Sequence, residues 1–90
     1  IELPNVFTPN NDGENDVYYV KTRNLWHFRV IIHNRWGHVV YESYSEAEGW
    51  NGKIRNTNND AADGVYYIEV YGNGIDGKSY HKNGFLYLMR

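Results

Sequence analysis

An oxygen-rich loop near the start of the chain is the first candidate for chemistry. Asn10, Asp12 and Asp16 offer carboxamide and carboxylate oxygens, which are the donors that Ca²⁺ takes, and Gly13 suits a sharp turn. An EF-hand loop would place a bidentate glutamate seven residues after Asp12, but that position is Tyr19. Asn and Asp side chains also cap their own backbone in turns, and this structural interpretation is the stronger one. The loop is at most a weak calcium site, and the sequence predicts no cofactor.

Four histidines invite comparison with a zinc site. His27, His33 and His38 bracket one predicted hairpin, whereas His81 lies far along the chain. Zinc needs three or four converging ligands, usually in closely spaced pairs, and no fourth ligand is indicated here. Solvent-facing histidines on strands explain the pattern better.

Side chains for nucleophilic or acid–base catalysis are also poorly placed. The chain has no cysteine, and its serines lie in no nucleophile-elbow motif. The carboxylates that could act in pairs all lie in polar loops, where solvation is the default: Glu46, Glu48, Asp60 and Asp63. A sandwich of 90 residues has little room for a concave pocket. The sequence therefore does not predict an enzyme.

Composition bounds the classes of protein that remain. Ninety residues are enough for a single domain, 1–90, and a net charge of −2 gives no basic field for nucleic acid. No apolar run approaches the ~20 residues of a transmembrane helix. Val, Ile, Tyr, Phe, Trp and Thr number 32 against 8 for Ala, Leu and Met, which favours strands. Because the chain begins at Ile1 and its one Met is Met89, we expect a piece of a longer protein that ends at its natural C-terminus.

Turn residues divide the chain into about seven short extended segments, which is the pattern of an antiparallel, immunoglobulin-like β-sandwich. A tight turn at Asn34 to Gly37 predicts a hairpin. The predicted strands are Asn5–Thr8 (an edge strand between two prolines), Asp16–Lys21, Phe28–His33, Val39–Glu42, Trp50–Ile54, Val65–Tyr71, Lys78–His81 and Phe85–Met89.

Alternation within these segments predicts which side chains form the core and which do not. Five tyrosines alternate away from the core, although two of them, Tyr41 and Tyr87, fit either face; the other three are Tyr18, Tyr67 and Tyr71. The aromatic residues exceed what a core this small can use. Exposed aromatic rings mark surfaces that bind sugars or protein partners, but tyrosines also stabilise sheets through cross-strand pairs, and both interpretations stay open. The predicted core is Val6, Val17, Phe28, Val30, Ile32, Val39, Trp50, Tyr66, Ile68, Val70, Leu86 and Leu88.

Several motifs, in order, resemble one family. PNVFTPNNDGENDV at Pro4 to Val17 is similar to the opening of the type B C-terminal sorting domain, also called the gliding-motility-associated C-terminal domain. VIIHNRWGHVVYE at Val30 to Glu42 resembles its second block, and Trp50–Gly52 and Asp63–Tyr67 resemble the third and fourth. Phe85–Arg90 resembles its closing strand. The signature positions carried over are Phe7, Thr8, Pro9, Asn10, Asp12, Gly13, Asn15, Asp16, Asn34, Arg35, Trp36, Gly37, Trp50, Gly52, Gly64 and Tyr66.

The resemblance implies a function that the residues alone do not. Members of this family are address tags of Bacteroidota proteins that use the type IX secretion system. The tag follows a covalently joined N-terminal cargo, which is an adhesin or a surface enzyme. By this resemblance the domain folds in the periplasm and is recognised by the outer-membrane translocon, with a PorP/SprF-like outer-membrane protein as partner. The cargo then reaches the cell surface or is secreted. The alternative is a carbohydrate-binding or adhesive β-sandwich module, which the exposed aromatics suggest.

The second signature block suggests a physical role for its arginine. Arg35 offers a five-donor fork that suits a carboxylate, so we expect it to clamp Asp12 or Asp16 of the opening loop. Trp36 is placed to stack on the same guanidinium. The cluster is predicted to be structural first and to present a preformed surface to the translocon.

Overall fold

The computed structural model describes residues 6–7, 17–20, 25–45, 48–55, 57 and 59–89. The strands are β1 (Val6–Phe7), β2 (Leu25–His33), β3 (Val39–Ser43), β4 (Gly64–Gly74) and β5 (Ser79–Leu88). The described residues contain no helix, so none among them crosses a membrane as one. The predicted all-β class is confirmed.

One sheet of five strands, in the order β1-β5-β4-β2-β3, organises these residues. β5, β4, β2 and β3 are antiparallel neighbours, and β1 adds a short parallel pair against the end of β5. β1 therefore lies at an edge, as the flanking prolines predict. β5 runs unbroken through Gly84, which pairs with Ile68, so the two closing strands predicted from the sequence are one.

The seven-strand immunoglobulin-like sandwich is not confirmed. The segments predicted as the second and fifth strands meet the rest of the described chain only through isolated bridges, Tyr18 with Trp50 and Lys53 with Asp60. Gly49 explains the close approach at the first bridge, because a Cβ there would collide with the Val17 side chain and lie 2.9 Å from the Tyr18 carbonyl oxygen. The layer over the sheet is thus built from loop segments in the described residues.

The core lies between one face of the sheet and these loop segments. Trp50 from the loop layer is 1% exposed, and Ile32, Ile68 and Val70 of the sheet are fully buried. Eight predicted core residues are confirmed as buried: Val30, Ile32, Trp50, Tyr66, Ile68, Val70, Leu86 and Leu88.

Three of the other four predicted core positions need correction. Val6 and Val39 are exposed, at 43% and 38%, and Val17 is only partly buried. Phe28 is also partly buried, but it packs against the core as predicted. Val39 fails because of a bulge: Ile32 pairs with Tyr41 but His33 pairs with Val39, so Val40 is an extra residue and lies in the core.

Residues 17–20 also face the opposite way from the prediction. Tyr18 and Val20 are buried and Tyr19 is exposed, because the Tyr18–Trp50 bridge fixes the segment's rotation. Ile31 is buried as well, although it lies on the other face of the sheet. Strict alternation identifies the inward face of a strand only where the ladder is regular.

A matched pair of isoleucines tests the position of the core. Ile68 is fully buried and Ile75, in the β4–β5 turn, is 73% exposed. We expect Ile68→Ala to lower the free energy of unfolding by about 2–5 kcal/mol, through lost burial and a cavity. Ile75→Ala should change it by less than about 0.5 kcal/mol. Urea denaturation measures both, and equal effects would contradict this core.

The buried tyrosine gives the fold a dependence on alkaline pH. Burial raises the pKa of Tyr18 to about 12. Between about pH 10 and pH 12 the unfolded chain releases this proton while the folded chain keeps it, so stability present below pH 10 is lost as the pH rises. Between about pH 9 and pH 11, we therefore expect the free energy of unfolding to fall by about 1.4 kcal/mol less in Tyr18→Phe than in the wild type. Parallel urea titrations at the two pH values measure this difference, and equal losses in both proteins would contradict it.

Candidate functional site

The turn that joins β2 to β3 is held rigidly by one side chain. The Asn34 Oδ1 accepts hydrogen bonds from the backbone N–H of Trp36 at 3.0 Å and of His38 at 2.9 Å. The backbone closes the same loop, since Asn34 N donates to His38 O at 2.9 Å and Gly37 N to Asn34 O at 3.0 Å. Gly37 takes φ 82°, a value that other residues rarely adopt. The turn therefore has the conformation that its sequence predicts.

Arg35 and Trp36 form the exposed tip of this turn. The Arg35 Cζ lies 4.6 Å from the Trp36 ring centroid, which is a cation–π contact. The Trp36 side chain is nevertheless 69% exposed. The predicted stacking of this pair is present, whereas the predicted clamp on Asp12 or Asp16 lies outside the described residues. The tip is thus a preformed guanidinium–indole surface.

Trp50, the third signature block, serves the core. Its indole N–H donates to the Lys53 carbonyl at 2.8 Å, and its ring meets Tyr66 edge-to-face with centroids 5.3 Å apart. Its backbone exchanges hydrogen bonds of 2.7 and 2.9 Å with Tyr18. A side chain this enclosed positions the loop layer and offers no surface to a partner.

The segment that leads into β4 is pinned to the same loop layer. Ala61 N donates to Gly52 O at 2.8 Å, and the Tyr66 hydroxyl donates to Ala62 O at 2.5 Å. Gly52 and Gly64 both have positive φ, 84° and 141°. Ala61 is buried, although the sequence does not predict it as a core residue. Its one signal is a pair of small residues, Ala61 and Ala62, inside an otherwise polar loop.

The second and fourth signature blocks meet at one cleft. A space of about 170 Å³ separates the 34–36 turn from residues 61–66. The blocks are some thirty residues apart in the chain, so only the folded sheet brings them together. The cleft and the exposed Arg35–Trp36 tip define the candidate recognition surface, which lies at the end of the sheet where β2 finishes and β4 begins.

Not every predicted site residue falls within the described chain. Phe7 lies in β1 opposite Leu88. Thr8, Pro9, Asn10, Asp12, Gly13, Asn15 and Asp16 lie outside the described residues, and so does the possible calcium loop. Among the residues that are described, no three His, Asp or Glu side chains converge as metal ligands would.

Substitution of Asn34 tests the turn. Asn34→Ala removes the acceptor of two backbone hydrogen bonds, so we expect the free energy of unfolding to fall by about 1–3 kcal/mol. Asn34→Asp keeps an acceptor oxygen at the same place and should retain most of the stability. Thermal and urea melts of the two variants measure this. An Asn34→Ala variant with the same melting temperature as the wild type would show that the side chain does not hold the turn.

Comparison with known proteins assigns these features to a family. No curated protein matches the chain. A family model for the CHU_C Type IX secretion signal domain matches residues 1–88, which confirms the resemblance to the type B sorting domain. The match includes both the buried signature residues and the exposed turn. The chain therefore belongs to the CHU_C Type IX secretion signal domain family, and its role is that of a sorting signal.

Proposed function

We propose that this domain carries a covalently joined N-terminal cargo through the type IX translocon by presenting the Arg35–Trp36 tip to an outer-membrane partner of the PorP/SprF kind. Membership of a secretion signal family supports export to the cell surface or into the medium. Such a family is not catalytic. The observation that carries the proposal is the division of the signature, in the part of the chain that the structure describes, into a buried scaffold and one exposed tip.

The tip has the properties of a protein-binding hot spot. Trp and Arg dominate the residues whose truncation costs most at protein interfaces. Asn34 fixes the backbone on which both side chains stand, so little conformational entropy is lost when a partner binds. The other described signature side chains cannot offer this contact, because Trp50 and Tyr66 are buried.

The signal in this proposal is a folded surface and not a linear peptide. The cleft beside the tip needs the turn at 34–36 and the segment at 61–66 together. The sheet that joins them is built from long-range pairs, since β2 lies between β3 and β4. Recognition of such a surface requires the folded domain, which supports folding in the periplasm before passage through the outer membrane.

A fusion assay tests export and the tip together. Residues 1–90 follow a signal peptide and a fluorescent cargo in a gliding Bacteroidota cell that co-expresses the PorP/SprF-like partner, with and without a working translocon. We expect extracellular cargo only in the secretion-competent strain. Trp36→Ala should reduce that cargo about tenfold or more, because truncating a hot-spot side chain typically costs at least ~2 kcal/mol of binding.

Trp26→Ala is the matched control for this assay. Trp26 is also an exposed tryptophan, but it lies at the other end of β2. Its substitution should leave export at the wild-type level, and neither variant should change the melting temperature. Wild-type export of Trp36→Ala would reject the tip as the contact. Cargo retained by both strains would reject the sorting role of these residues.

A further inference from the structure

A groove of about 540 Å³ lies at the end of the sheet opposite the Arg35–Trp36 tip. It is formed where β2 begins, where β4 ends and where β5 begins. Aromatic rings dominate its walls, with Trp26, Tyr44, Tyr71 and His81 among them. Its volume lies within the range of about 300–1,000 Å³ that small-molecule sites occupy. No signature residue lines it.

A bulge in β2 turns a tryptophan out of the ladder and into this groove. Leu25 pairs with Gly74 and His27 with Asn73, so Trp26 is an extra residue on β2. Its ring meets His27 edge-on, with centroids 4.8 Å apart, and is 72% exposed. Bulges commonly redirect a side chain beside a binding site. A tryptophan this exposed adds little to the core, so packing does not account for it.

The ring of Tyr71, a second wall of the groove, is held in place by its neighbours. Tyr71 stacks on His81 across β4 and β5, with centroids 4.4 Å apart and an interplanar angle of 3°. Its hydroxyl donates to Glu69 Oε2 at 2.6 Å, and this bond raises the Tyr71 pKa. Because β2 lies on the other side of β4, the free face of Tyr71 is directed toward Arg29. The ring is therefore a fixed, flat wall.

The arginine that lines the groove is already paired with a carboxylate of the protein. Arg29 donates to Glu42 Oε2 through Nε at 2.8 Å and Nη2 at 2.6 Å, and Arg55 approaches the other carboxylate oxygen at 3.3 Å. The Cζ of the same Arg29 lies 5.8 Å from the centroid of the Tyr44 ring. Among the described residues that line the groove, none is a carboxylate. A ligand here needs no charge of its own.

Polar side chains lie between the rings. The Ser79 hydroxyl donates to Asn73 Oδ1 at 3.1 Å, and His27 lies beside them on β2. Under the middle of the groove, Asn73 of β4 pairs with His27 on one side and Ser79 on the other, so β4 cannot add a peptide strand there. On this face of β4, recognition comes from side chains, through flat apolar faces and short hydrogen-bonding groups.

We propose that this groove binds a neutral oligosaccharide. A pyranose ring has an apolar C–H face and a rim of hydroxyls. Trp26, Tyr44 and Tyr71 match the first of these features, and Asn73, Ser79 and His27 match the second. The absence of carboxylates from the described lining disfavours a cationic ligand, and the internal Arg29–Glu42 pair disfavours an acidic one. The site does not depend on the export role, because it lies at the other end of the sheet.

NMR titration of the 90-residue chain tests the site with defined probes, namely cellohexaose, xylohexaose, mannohexaose and laminarihexaose. The chain has three tryptophans, so three indole N–H signals report separately on the groove, the tip and the core. We expect at least one hexasaccharide to shift the Trp26 signal and to leave those of Trp36 and Trp50 in place. Trp26→Ala and Tyr44→Ala should weaken the Kd about tenfold or more, as loss of a stacking aromatic does in other sites.

Trp36→Ala serves here as the matched control and should bind the probe like the wild type. Added salt should not weaken binding, because no charge pair with the ligand is involved. The absence of any Trp26 shift at about 10 mM of all four probes, a level that reveals even millimolar Kd values, would overturn the proposal. So would binding confined to acidic oligosaccharides such as oligogalacturonate and abolished by salt. A chain that binds the probe but fails in the export assay, or the reverse, separates this inference from the proposed function.

Discussion

The fold depends on how one face of its single sheet is covered. The described part of the chain contains no second sheet that could cover that face. Sheets are stable when an apolar face packs against another layer. Here Trp50 supplies that layer from a loop, meeting Tyr66 edge-to-face and holding residues 17–20 through backbone bonds to Tyr18. Gly49 permits the close approach, and a hydrogen bond from Ala61 N to Gly52 O joins the next two segments of this layer. Trp50 and Gly52 of the signature, together with Gly49, therefore serve to stabilise the fold.

Irregularities at the two ends of β2 give the two ends of the sheet different surfaces. Near His33 the extra residue is Val40 of β3, which enters the core, while Arg35 and Trp36 project from the turn that precedes it. Near Leu25 the extra residue is Trp26 of β2, which leaves the ladder and faces solvent. Between them the ladder is regular, as at Val30 with Val70 and Ile32 with Ile68. A rigid middle thus separates two exposed tryptophans.

The sequence predicted the regular parts of this fold and not the irregular ones. Alternation identified Tyr66, Ile68 and Val70 because β4 lies between two continuous partners and never changes phase. It failed at Val39, since the extra residue Val40 separates it from the regular pairs that begin at Tyr41, and no local signal marks where an extra residue enters. The groove was missed for a related reason. Its walls come from three strands, so neither Trp26 nor Tyr71 predicts it alone.

The exposed tryptophans are best understood against the modest stability of a small domain. A chain of this size buries a smaller fraction of its surface than a larger one does, so burial of each apolar ring matters more for its free energy of unfolding. Trp50 is buried and stabilises the fold in this way, whereas Trp26 and Trp36 are exposed and do not. Cross-strand pairing explains Tyr71 beside His81 and Tyr67 beside Phe85, but Trp26 and Trp36 have no strand partner opposite them among the described residues. Their exposure therefore calls for a functional explanation. Because they stand at opposite ends of β2, contact at one end leaves the other accessible, so export and ligand binding do not compete for the same surface.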